Sequence, residues 1–152
     1  MNLRNQKFKK IAEQRMSRIF KSLNSVSKLS NKKYYDYSED ELNDIFDSLI
    51  ENGEKCKSIF YKQLDRNLFL PSFNFKASNN MNNNKNIKFR ELSSARVNNI
   101  LYDLKLIANL SEKKHYTYSL QEIDYMFESY IEKVENIRIY FLDLTTEFKF
   151  LN

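Results

Sequence analysis

Catalysis needs a nucleophile, a base or a metal held at short range, and few residues of this chain supply one. There is one histidine, His115, and one cysteine, Cys56, 59 positions apart. No spacing of His, Cys and carboxylates resembles a metal site, and a chain with a single glycine has no glycine-rich phosphate loop. The clustered acids Glu39, Asp40, Glu41 and Asp44 fall in the first turns of an expected helix, where negative charge complements the helix dipole. These patterns predict no enzyme, no cofactor and no metal. Cys56 lies on an apolar stripe, where a buried structural thiol is expected.

The lysines are more informative. The net charge of +5 conceals a segregation: residues 1–33 hold ten Lys/Arg and one acid, while residues 34–60 hold two Lys and eight acids. The contrast recurs weakly, with +6 over 61–118 and −4 over 119–152. Lys7, Lys9, Lys10, Arg18, Lys21, Lys28, Lys32 and Lys33, joined by Lys113 and Lys114, are candidates for one basic surface. Such a surface attracts polyanions by phosphate neutralisation and counterion release. Two loops, Lys32-Lys33-Tyr34-Tyr35 and Lys113-Lys114-His115-Tyr116, pair lysines with aromatics, and Tyr35 and Tyr116 either stack on unpaired bases or pack over the ends of the helices.

The elements that position these residues come from a duplication. Offsetting the chain by 81 residues aligns 7–60 with 88–141 without a gap, with 19 identities in 54 positions. Each unit opens on an apolar stripe spaced by three, four and seven (Phe8, Ile11, Ile19, Leu23, Val26; Phe89, Leu92, Ile100, Leu104, Ile107), the signature of an amphipathic helix. A second such stripe follows (Leu42, Ile45, Phe46, Leu49; Ile123, Met126, Phe127, Tyr130). Ser38-x-x-Glu41 and Ser119-x-x-Glu122 are capping boxes that fix where each second helix starts, and Tyr37 and Tyr118 before them are expected to staple that entry. An antiparallel hairpin turning near residue 34 would pair Arg15 with Glu51 or Glu54, and Arg96 with Glu132 or Glu135.

The reading is therefore all-α: one domain over 1–152, built from two tandem antiparallel helical hairpins, 7–66 and 88–146, forming a pseudo-symmetric four-helix bundle. The linker 67–87 divides into an apolar part, Asn67–Phe75, expected to lie extended over the bundle, and an Asn-rich part, Ser78–Asn86, expected to be mobile. The tail Glu147–Asn152 repeats the alternating aromatics of Phe73–Phe75. Both strips either seal edges of the core or form a short paired ribbon or an exposed partner-binding edge. The relative orientation of the hairpins stays open.

The segment Asn109-Leu110-Ser111 followed by Tyr116-x-Tyr118-Ser119, echoed by Leu29-Ser30 and Tyr35-x-Tyr37-Ser38, resembles a small bacterial protein family, often on mobile elements, with an Asn-Leu-Ser…Tyr-x-Tyr-Thr motif. The first unit departs from it, with Lys28 in place of the Asn. The resemblance implies no particular activity. With no apolar run long enough to span a membrane and no signal peptide, the chain is expected to be cytoplasmic. The expected function is binding of RNA, DNA or a nucleoprotein by the basic face. The alternative is a small protein–protein inhibitor or adaptor, such as a phage or plasmid counter-defence factor.

Overall fold

The computed structural model describes residues 2–78, 83–142 and 148–151. Four helices follow in order: α1 (Leu3–Ser27), α2 (Glu39–Lys62), α3 (Asn84–Ala108) and α4 (Leu120–Arg138). Short 3-10 turns at Lys28–Ser30, Arg66–Leu68, Asn109–Ser111 and Ile139–Phe141 tighten the ends. Both capping boxes form. Ser38 Oγ accepts from the Glu41 amide at 3.1 Å while Glu41 Oε1 accepts from the Ser38 amide at 2.9 Å, and Ser119 and Glu122 repeat this at 3.1 and 2.8 Å.

The stripes specify burial, and the packing decides which helix meets which. α1 packs against α3 and α4, and α2 packs against the same two, so the two helices of each unit stand on a diagonal of the four-helix square. Within each unit the helices run antiparallel, Phe8 of α1 meeting Phe60 of α2 edge-on at 6.5 Å across the core. α1 and α3 are also antiparallel, because residue 15 lies beside 106, 18 beside 103 and 25 beside 96. α1 and α4 run parallel, as do α3 and α2.

The pseudo-twofold that exchanges the units is visible atom by atom. Tyr37 sits between the rings of Phe89 and Phe141 at 5.1 and 5.3 Å, and Tyr118 between those of Phe8 and Phe60 at 5.3 and 5.2 Å. Their hydroxyls donate to the carbonyls of Ser30 and Ser111 at 2.8 and 2.9 Å. Both tyrosines pack against the core, with their rings set on those of the other unit.

The expected Arg15–Glu and Arg96–Glu pairs do not form. Arg15 instead donates to the Leu106 carbonyl in the last turn of α3 at 2.6 Å, and Arg96 to the Ser25 carbonyl in the last turn of α1 at 2.7 Å. Each arginine meets the electron-rich C-terminal end of the other unit's first helix, where carbonyls lack intrahelical partners. The diagonal placement of α2 relative to α1 explains the difference, since Arg15 points toward its neighbour α3.

The duplication also extends further back than its aligned core. Asn2 caps α1 and Asn83 caps α3, each accepting from the amide three residues on. Asn5 donates to Glu122 Oε1 and to the Thr117 carbonyl, both at 3.0 Å, and Asn86 donates to Glu41 Oε1 and the Asp36 carbonyl at 3.0 and 3.1 Å. Asn86, placed by its sequence in a mobile stretch, is thus fully buried inside α3, and Asn83 is the helix cap. Residues 79–82 of that stretch lie outside the described residues.

One pair breaks the symmetry. Tyr130 reaches across from α4 to donate its buried hydroxyl to the Leu49 carbonyl at 2.7 Å. Its ring lies against Gly53, where an added Cβ would stand 2.5 Å from Tyr130 Cε2. The equivalent positions carry Leu49 and Val134, so the aromatic in one unit is matched by a glycine in the other. Cys56 is buried, donating to the Leu104 carbonyl at 3.4 Å, and burial pushes its thiol far up from its ordinary range despite the opposing charge of Lys105. An un-ionised thiol is a poor nucleophile.

The apolar linker lies as expected along the groove between α2 and α3. Phe69 and Phe73 are buried, and Phe75 meets Phe73 edge-on at 4.9 Å. Asn98 clasps Phe73 through its amide and carbonyl at 2.8 and 3.1 Å, and Asp44 accepts from the amides of Lys76 and Ala77, both at 2.8 Å. Phe148, Phe150 and Leu151 of the tail are 76, 86 and 99% exposed, so the described part of that strip seals no edge.

Candidate nucleic-acid interface

The diagonal arrangement converts a segregation along the chain into one across the molecule. α1 and α3 are neighbours on one side, and together they carry twelve Lys/Arg and three acids. α2 and α4 form the opposite side with five Lys/Arg and twelve acids. One face is strongly basic and the other strongly acidic.

The candidate residues do not form one continuous patch. α1 runs roughly 37 Å at 1.5 Å per residue, with Lys7, Lys9 and Lys10 near its start and Lys28, Lys32 and Lys33 at or beyond its end. The second Lys-Tyr loop folds back on the start of α1: Arg4 donates to the Lys113 carbonyl at 3.2 Å, and Lys7 lies over the Tyr116 ring at 5.3 Å. Arg4, Lys7, Lys113, Lys114 and Tyr116 therefore gather at one end of the bundle. Lys28, Lys32, Lys33 and Tyr35 gather at the other, and the α1 surface connects them.

Several charges are already engaged. Arg18 pairs with Asp103 at 3.3 Å and Lys9 with Glu122 at 3.4 Å, so these two join helices. Lys32 lies 5.9 Å from the Tyr37 ring centroid and Lys33 5.5 Å from that of Tyr34. Lys10, Lys21 and Lys28 are exposed and form no ion pair among the described residues. Their separations of 11 and 7 residues return them to one side, which makes them a solvent-facing stripe along α1 and the turn that follows it.

Tyr35 and Tyr116 are half-buried and packed on the core, an arrangement that presents little ring face to a base. Tyr34 is the more open ring of the first loop, and its counterpart is the exposed His115. Sequence reasoning missed Arg4 and also Arg90, which pairs with the buried Glu41 and donates to the Ala77 carbonyl at 2.9 Å. Their signal was available: Arg90 is the counterpart of Lys9, so the second copy keeps the cation that meets the capping glutamate.

The carboxylates facing these cations hold their protons weakly. Burial works against ionised Glu122, but hydrogen bonds from the Ser119 amide, Asn5 and Lys9 outweigh it and hold the carboxyl below its ordinary range. Glu112 is lowered chiefly by the Lys114 amide, with Arg66 at 3.0 Å assisting. Among the described residues no group of three or more His, Cys, Asp or Glu is placed to hold a metal, and no helix is long and apolar enough to cross a membrane.

The fold defines an all-α four-helix bundle made of two interlocked copies. No protein family, no curated protein and no solved structure matches the chain.

Proposed function

We propose that this protein is a non-enzymatic binding protein whose α1/α3 face takes the phosphate backbone of RNA or DNA, free or within a nucleoprotein. The supporting observation is the stripe of Lys10, Lys21 and Lys28, uncompensated beside two neighbouring helices, α1 and α3, that carry twelve cations against three acids between them. The packed state of Tyr35 and Tyr116 favours phosphate contacts over base stacking, and so favours binding with little sequence preference.

Fluorescence anisotropy with labelled duplex and single-stranded oligonucleotides between 50 and 200 mM salt tests the reading. Binding should weaken steeply with salt, and K10E/K21E/K28E, which alters exposed side chains alone, should lower affinity at least tenfold and flatten the log–log salt slope by about three. Absent binding, or binding indifferent to these changes in a variant with unchanged circular dichroism, overturns it.

The acidic α2/α4 face supports a second reading, a protein inhibitor or adaptor that docks on a basic partner. Pull-down from nuclease-treated lysate separates the two: partners lost with the nuclease favour nucleic acid, and partners retained through the α2/α4 face favour protein.

A further inference from the structure

The pseudo-twofold maps the α2/α3 groove, filled by the linker strip, onto a second groove between α1 and α4. No described residue covers it. It measures about 730 Å³ and is floored by Phe8, Ala12, Met16, Phe20 and Met126, with Glu13 at its rim. Phe8 and Ala12 occupy the positions of Phe89 and Ser93 under the strip. Among the described residues an apolar channel is therefore built twice and covered once.

The covering strip leaves the end of α2 and returns along α2 in extended form, seating a Phe-x-Phe-Lys sequence. The tail follows α4 in the chain as the strip follows α2, and it carries Phe148-Lys149-Phe150-Leu151. Its two rings already hold the edge-on geometry of the seated pair: 4.8 Å and 80° for Phe148–Phe150, against 4.9 Å and 74° for Phe73–Phe75. Phe148 lies seven positions on from Phe141, a reach of roughly 23 Å when extended. Met126 lies fifteen residues back along α4, roughly 23 Å along the helix axis. Glu13, which forms no ion pair among the described residues, offers Lys149 a partner.

From this correspondence we infer that the α1/α4 groove is a binding site for an extended aromatic-x-aromatic segment, and that its occupant is the chain's own Phe148-Lys149-Phe150-Leu151. The clasp differs from that of the linker. Ser17 stands where Asn98 holds Phe73, and Tyr125 where Asp44 holds the amides of residues 76 and 77. Without those backbone bonds the tail seats by apolar contact and charge alone, and it exchanges between seated and exposed states. Tail aromatics exposed at 76 and 86% and an apolar channel that no described residue covers are the two halves of one contact.

Methyl-labelled methionine NMR on the full chain tests this, because two of the four methionines, Met16 and Met126, floor the groove. In the wild type their methyl signals should be displaced upfield by the tail rings, and F148S/F150S should return them downfield while the signals of Met1 and Met81 stay fixed. These serines replace exposed residues and leave folding intact. A nitroxide attached through N152C, with Cys56 buried and unreactive, should broaden Met16 and Met126 selectively. Unmoved methyls in F148S/F150S together with no selective broadening overturn the inference. A displacement that grows with protein concentration overturns it as well, by assigning the seat to the tail of a second copy.

Discussion

At the scale of single residues, the two capping glutamates carry the clearest test. Glu41 and Glu122 each close a capping box and each accept from an asparagine of the other unit, but Glu41's side chain is 2% exposed and Glu122's 25%. Replacing one partner of a buried charge pair costs about 3–5 kcal/mol, whereas an exposed pair contributes about 1 kcal/mol or less. Urea denaturation should therefore find Glu41→Gln well below Glu122→Gln in stability. Acid titration makes a second test. Glu122 has a folded pKa below its unfolded value, so the stability it contributes is present above the unfolded pKa and is lost as pH falls through the folded one. The thermal midpoint should fall across the acidic range below about pH 4.3, and less steeply in Glu122→Gln. Gly53 gives the third. Gly to Ala inside a helix ordinarily stabilises by about 1 kcal/mol, but here the new methyl collides with the Tyr130 ring, and overpacking costs about 1–3 kcal/mol. Gly53→Ala should destabilise alone and be relieved when combined with Tyr130→Leu, which restores the residue found at the equivalent position 49.

At the scale of elements, the reciprocal arginine clamps dominate. Arg15 and Arg96 each supply a cation to the C-terminal end of a helix from the other unit, and α1 has no basic residue of its own in its last turn. Hydrogen bonds from charged groups contribute about 1.5–3 kcal/mol. Arg15→Met and Arg96→Met should each lower stability by about that amount and should add in the double variant, since the two clamps share no partner. The clamps also mark where the sequence ceased to be legible. Helix number, stripes and capping boxes were readable because each depends on neighbours within a few positions. Repetition of nearly the same stripe in four helices carries no information on which helix faces which, so Arg15 was placed against Glu51 or Glu54 although its partner lies 91 residues away. Asn86 was misjudged for a related reason. Its asparagine-rich neighbours suggested disorder, whereas its match to Asn5, just outside the aligned block, was the signal of a buried role.

At the scale of the molecule, the charge run on α1 was legible but its geometry was not. Only the diagonal packing places α3 beside α1 and sets twelve cations opposite twelve acids. A molecule with a basic face and an acidic face attracts copies of itself although its net charge is +5. Such head-to-tail contacts do not close on themselves, so association should be open-ended. Static light scattering should show net attraction at about 20 mM salt that disappears by about 300 mM, where the screening length falls below about 6 Å. The triple glutamate variant of the α1 stripe should lose that attraction at low salt.

The interlocking of the two copies has a consequence for how the chain is made. Each first helix has both of its flanking helices in the opposite copy, so the first unit leaves the ribosome before the partners that bury most of its stripe have been synthesised. At about 5–20 residues per second, the 81-residue offset corresponds to roughly 4–16 s of exposure. Stalled nascent chains should therefore stay protease-sensitive throughout, and become resistant together only once α4 has emerged.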